Sequence, residues 1–122
     1  MRLWHERLIP LLPKHQLLGQ HRECCALRGR GWGRKHATVN YVFDHPPYLL
    51  YRYHVLVMKE MSARAYRASP EWLDKDYRGK SLEAYVDLEL VETGSPIYPE
   101  HDEDYLEDCL RNLEQKGIFL RL

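Results

Sequence analysis

Lys14-His15-Gln16-Leu17-Leu18-Gly19-Gln20-His21-Arg22-Glu23-Cys24-Cys25-Ala26-Leu27-Arg28 is the stretch on which the reading of this chain turns. Pro13 suits the first turn of a helix, where its missing N–H would have no partner anyway, and Gly29 and Gly31 stop one. Leu17, His21, Cys24 and Leu27 recur at helical spacing with Leu18 and Cys25 beside them. That spacing predicts a helix over 14–28 with one buried stripe. Gln16, Gly19, Gln20, Glu23 and Arg30 line up on the other side, flanked by Arg22.

The rest of the chain continues the helical pattern. Asp44 is placed to cap a second helix with Pro46 and Pro47 in its opening turn, running to about Tyr66 and turning Leu49, Tyr53, Leu56, Met61 and Ala65 toward the core. Ser69-Pro70-Glu71 announces a short helix through Asp74, and 82–90 is ambiguous between strand and helix. Gly94, Pro96 and Pro99 mark a loop. The last helix has acids at its start (Asp102, Glu103, Asp104), Arg111 and Lys116 near its end, and Gly117 as terminator. Both charge placements favour the helix dipole. The expected fold is mainly α: a compact single-domain helical bundle with substantial loops, spanning 1–122.

Charge is segregated along this chain although it sums to zero. Residues 1–67 hold 12 Lys and Arg against 4 acids, a net of +8, and residues 68–122 carry the compensating −8. Six of the seven His also fall in the first part. A basic half of this kind points to a polyanion, and the bland reading is that the two halves neutralise each other. The glycine-spaced loop Gly29-Arg30-Gly31-Trp32-Gly33-Arg34-Lys35-His36 adds cations and an aromatic ring, but lacks the spacing of a phosphate loop for nucleoside triphosphates. Trp32 is balanced between a base-stacking role and loop anchoring, while Trp4 favours the core. Arg111 and Lys116, in the acidic half, are expected to matter little for binding.

Several classes are excluded. No apolar run approaches the ~20 residues of a membrane span. The start has no apolar signal core. Three Cys, two of them adjacent, make no disulfide framework and suit a reducing compartment, so a cytoplasmic location is expected. His5, His36, His45 and His54 show no HxxxH or HExxH spacing, so no metal and no cofactor is expected.

Glu23 is the acid that stands out inside the basic stretch. A carboxylate among Arg, Gln and His can be a structural ion pair or an acid–base catalyst beside a phosphate-binding surface. A helix opening near residue 14 can carry Glu23 back toward the chain's own start. An unperturbed α-amine titrates at about pH 7.7–8.0, so a substantial fraction is neutral at physiological pH. Such an amine near a carboxylate is equipment for imine chemistry at a sugar C1′.

The segment from His15 to Glu23 resembles the catalytic helix of the pyrimidine-dimer DNA glycosylase family of the phage endonuclease V type. The resemblance continues through Arg34-Lys35-His36 and more loosely from Tyr41 to Tyr66, about half the chain. It implies a compact helical monomer that attacks C1′ of a damaged nucleotide in double-stranded DNA with its N-terminal amine, releases the base, and cuts the strand by β-elimination. It implies Glu23 as the catalytic carboxylate, Arg22 as its catalytic neighbour, and Arg2 beside the nucleophile if Met1 takes that place. Arg2 is too large for ordinary removal of the initiator, so Met1 is expected to be retained. Arg2, His15, Gln16, Arg30, Trp32, Arg34, Lys35 and His36 are the residues expected on the nucleic acid. The alternative is a DNA- or RNA-binding helical module that has lost the nucleophile.

Overall fold

The computed structural model describes residues 2–122. Three α-helices carry the architecture: α1 (Lys14–Arg28), α2 (Pro47–Ala63) and α3 (Glu103–Gln115). Short 3₁₀ segments lie at Glu6–Leu11, Asn40–Asp44 and Pro70–Leu73. No strand occurs among the described residues, and no helix there is long and apolar enough to cross a membrane. The protein is mainly α, as expected from its sequence, with long irregular connections.

Helix α1 starts and stops where Pro13 and Gly29 place its ends. Gly31 is required by close approach: a Cβ there would lie 2.8 Å from the Ala26 carbonyl oxygen. Leu17, Cys24 and Leu27 are buried against α2, which contributes Leu49, Leu50, Tyr53, Val57 and Met61. The N-terminal segment adds Leu3, Leu8, Ile9 and Leu12, and α3 adds Leu106, Cys109 and Leu113. Each such side chain stabilises the fold by about 1.5–3 kcal/mol on burial, so α1 is held by the chain on both sides of it.

Helix α2 departs from the expectation at both ends. Asp44 closes the 3₁₀ segment and does not cap α2, whose N-cap is Pro46 at ψ 147°. A residue preceding proline is pushed to extended backbone, so the helix cannot begin before Pro47. Ala65 lies past the other end, exposed and left-handed at φ +63°, so it does not face the core. Residues 82–90 form neither helix nor strand. Helix α3 follows expectation: Asp102 Oδ1 accepts from the Tyr105 amide at 2.9 Å, and Gly117 takes φ +80° after its end.

Two polar residues of α1 are buried. Arg28, 3% exposed, donates to the carbonyls of Trp72 (2.7 Å), Asp74 (2.8 Å) and Tyr77 (3.1 Å), tying the 70–77 segment to the helix end. Gln20, 1% exposed, serves the other end of the chain.

Candidate active site

The carboxamide of Gln20 reaches the backbone of the first residues from both sides. Its Oε1 accepts from the Trp4 amide at 2.7 Å and its Nε2 donates to the Arg2 carbonyl at 3.0 Å. Tyr53 of α2 braces the pair, its hydroxyl 2.8 Å from Gln20 Oε1 and 2.5 Å from the Trp4 carbonyl. Residues 2–4 are thereby laid along the α1 face that carries Gln16, Gly19 and Glu23. The half-buried Arg2 packs its guanidinium 5.7 Å from the Tyr105 ring centre.

A cavity of about 330 Å³ opens at this junction, lined from α1 by His15, Gln16, Gly19, Gln20 and Glu23 and from the N-terminal segment by Arg2 and Trp4. His36 and Thr38 close a third side, with His36 Nδ1 3.0 Å from Thr38 Oγ1. Helix α3 supplies Asn112 and its C-cap Lys116, whose ammonium lies 5.2 Å from the Trp4 ring centre. Glu23 Oε2 is buried and has no hydrogen-bond partner among the described residues. Leaving a buried acceptor unsatisfied costs about 1–3 kcal/mol, and more when the group is charged. A carboxylate oxygen in that condition at the wall of a cavity has room for a donor that enters it.

Few cations of the basic half pair with acids of the other half. Among the described residues only Arg7–Glu103 (3.2 Å) and His45–Glu100 (2.9 Å) pair across the two halves of the chain. Arg64 pairs locally with Glu60, and Lys75 and Arg111 pair within the acidic half with Asp76 and Asp108. Mutual neutralisation therefore does not explain the segregation. Arg22, Arg34 and Lys35 are exposed, and their side chains make no hydrogen bond or ion pair among the described residues. Phosphates are suitable partners for such groups.

Of the residues expected at the site, Arg2, His15, Gln16, Glu23 and His36 converge on the cavity. Arg22, Arg30, Trp32, Arg34 and Lys35 do not line it. Arg30 reaches Ser81 Oγ at 3.3 Å, and Trp32 sets its ring edge-on to Phe43 at 5.0 Å. Met1 lies outside the described residues. Sequence reasoning missed Gln20, Asn112 and Lys116. Lys116, expected to matter little for binding because it sits in the acidic half, lines the cavity, where the C-terminal end of α3 comes back onto it.

A second polar cluster lies along another side of α1. Ligand-type atoms of His21, Cys25 and His54 lie within 4.8 Å of one another. The spacing His21-x-x-x-Cys25, one helical turn, is the signal that marks two of them. Hydrogen-bond polarity nevertheless opposes a metal here. Arg28 Nη1 sits 2.9 Å from His54 Nδ1 and can only donate, so Nδ1 is the acceptor and the proton is on Nε2. That Nε2–H donates to His21 Nδ1 at 2.8 Å. A metal-bound imidazole needs an acceptor at its second nitrogen, and Arg28 supplies a donor. Burial, with Arg28 and His21 adding repulsion, holds the His54 pKa down to about 2. Burial also pushes the Cys25 thiol up to about 11, away from the thiolate a metal requires. The cluster is a hydrogen-bonded chain.

Fold and site define a helical protein with unpaired surface cations and a cavity lined by the Glu23 carboxylate. A family model described as pyrimidine dimer DNA glycosylase matches residues 1–74, and the chain belongs to that family. The match covers α1 and α2 and stops before α3, so Asn112 and Lys116 lie outside it. No curated protein and no solved structure gives a significant match to the chain. Membership of a DNA glycosylase family makes DNA the polyanion and DNA repair the setting.

Proposed function

We propose that this chain removes a damaged pyrimidine, of the pyrimidine-dimer kind, from double-stranded DNA and opens the resulting abasic site through an imine on the α-amine of Met1. The neutral amine attacks C1′, the glycosidic bond breaks, and its electron pair leaves with the base. Loss of the amine proton and opening of the sugar ring give the imine. Removal of a C2′ proton then expels the 3′ phosphate by β-elimination, and water returns the amine. Glu23 carries protons in these steps and stabilises positive charge at the sugar. Arg22 and Arg2 hold the flanking phosphates. His15, Gln16 and His36 contact the nucleotide in the cavity, while Arg30, Trp32, Arg34 and Lys35 extend the contact along the duplex. The protein acts as a monomer, needs no cofactor, and works in the cytoplasm, where its free Cys24, Cys25 and Cys109 stay reduced.

The observation that carries this reading is the unpartnered Glu23 Oε2 at a cavity walled by residues 2 and 4 of the chain's own start. Glu23→Gln tests it. The variant keeps shape and most hydrogen bonding, so folding and DNA binding stay near wild type while base release falls at least a hundredfold. Unfolding of the variant with activity per folded molecule intact would assign Glu23 a structural role and remove it from the chemistry.

A further inference from the structure

We propose that Gln20 is a positioning residue for this chemistry, acting through the backbone of residues 2–4 and not through the substrate. The proposal rests on the amine mechanism above. Gln20 is almost fully buried, and both ends of its carboxamide are used: Nε2 on the Arg2 carbonyl at 3.0 Å, Oε1 on the Trp4 amide at 2.7 Å. An amide at this place matches one free acceptor and one free donor of an extended segment, which no apolar or charged side chain of similar size does. The helix thus grips the chain start one turn before Glu23, on the same face, where i and i+3 are neighbours.

The grip has a consequence for the reaction. Arg2 is covalently joined to Met1, so fixing the Arg2 carbonyl leaves only a few rotatable bonds between the clamp and the terminal nitrogen. Chain ends are ordinarily poorly ordered unless tied down. A nucleophile on such an end needs an anchor close behind it, because a displacement of about 1 Å from the attacking geometry can cost 10²-fold in rate. Tyr53, fully buried in α2, ties the clamp to the core by its hydroxyl. The backbone of residues 2–4, through which the amine is attached, is therefore anchored by α1 and α2 together.

The test is single-turnover borohydride trapping on duplex DNA with a central abasic site, at saturating protein, for wild type, Gln20→Met and Tyr53→Phe. Rates are taken per folded molecule from circular dichroism, and DNA affinity is measured alongside. The expected result is at least a tenfold slower trapping for Gln20→Met and a smaller loss for Tyr53→Phe. DNA affinity stays within about threefold, and modification of the terminal amine by a small acylating reagent proceeds at the wild-type rate. Should Gln20→Met fail to fold, Tyr53→Phe carries the decision. Trapping by both variants at the wild-type rate per folded molecule overturns the positioning role while leaving the amine mechanism standing. Absence of trapping by the wild-type protein instead overturns the mechanism itself.

Discussion

Acid should unfold this protein steeply, and two buried histidines set the scale. His54 is fully buried with its pKa held down to about 2, and His101, 2% exposed, is held down to about 3 by burial and the neighbouring His5. His101 is committed as a neutral ring: Nδ1 accepts from the Glu6 amide at 3.2 Å, leaving Nε2 to donate to the Tyr41 hydroxyl at 2.7 Å. Both pKa values are depressed in the fold, so the unfolded chain binds protons first as pH falls below about 6.5. Stability is fully present above that pH and is lost progressively on the acid side. Each histidine removes about 1.4 kcal/mol per pH unit, so the pair removes roughly 5 kcal/mol between pH 6.5 and 4.5. His21 and His5, also lowered chiefly by burial, act in the same direction. Domains of this size are stable by only about 5–15 kcal/mol, so unfolding near pH 4–5 is expected. Urea titrations at half-unit steps from pH 7.5 to 4.5 measure it, and His54→Gln should reduce the slope by about one proton. A stability constant within about 1 kcal/mol from pH 7 to 5 would refute the reasoning.

Two further outcomes follow from the distribution of cations. Replacing Arg30, Arg34 and Lys35 by Ala should flatten the dependence of log affinity on log salt, by about 0.9 for each phosphate no longer neutralised; an unchanged slope removes the glycine-spaced loop from the interface. Lys116→Ala should weaken binding of abasic duplex by about three- to tenfold in a fluorescence titration, whereas Arg111→Ala, whose partner is Asp108, should leave it unchanged.

What could be read from the sequence was what local chemistry encodes. The bounds of α1 followed from Pro13, Gly29 and the stripe through Leu17, Cys24 and Leu27, and those of α3 from Asp102 and Gly117. The resemblance around Glu23 gave the family, and the residues from His15 to Glu23 placed half of the cavity wall. What escaped were polar residues whose partners are distant in the chain. Gln20 reads as a solvent-facing residue because nothing local announces that residues 2–4 will return to cover it. Arg28 reads as an ordinary charge at a helix end, yet three carbonyls some fifty positions away satisfy it in the interior. The place of Lys116 beside the cavity was hidden for the same reason: charge counted along the chain says nothing about which helix end folds back over Trp4. Asp44 failed as a cap because the backbone restriction imposed by Pro47 outweighs side-chain propensity.

The most direct test of the central claim is to trap the wild-type protein on duplex DNA containing a central abasic site with borohydride and to map the adduct by peptide mass spectrometry. The expected result is a covalent protein–DNA adduct carried on the α-amine of Met1, abolished by an N-terminal tag or acetylation and unaffected by a C-terminal tag. An adduct on Lys14 or Lys35, or none with any abasic or pyrimidine-dimer duplex, would contradict it.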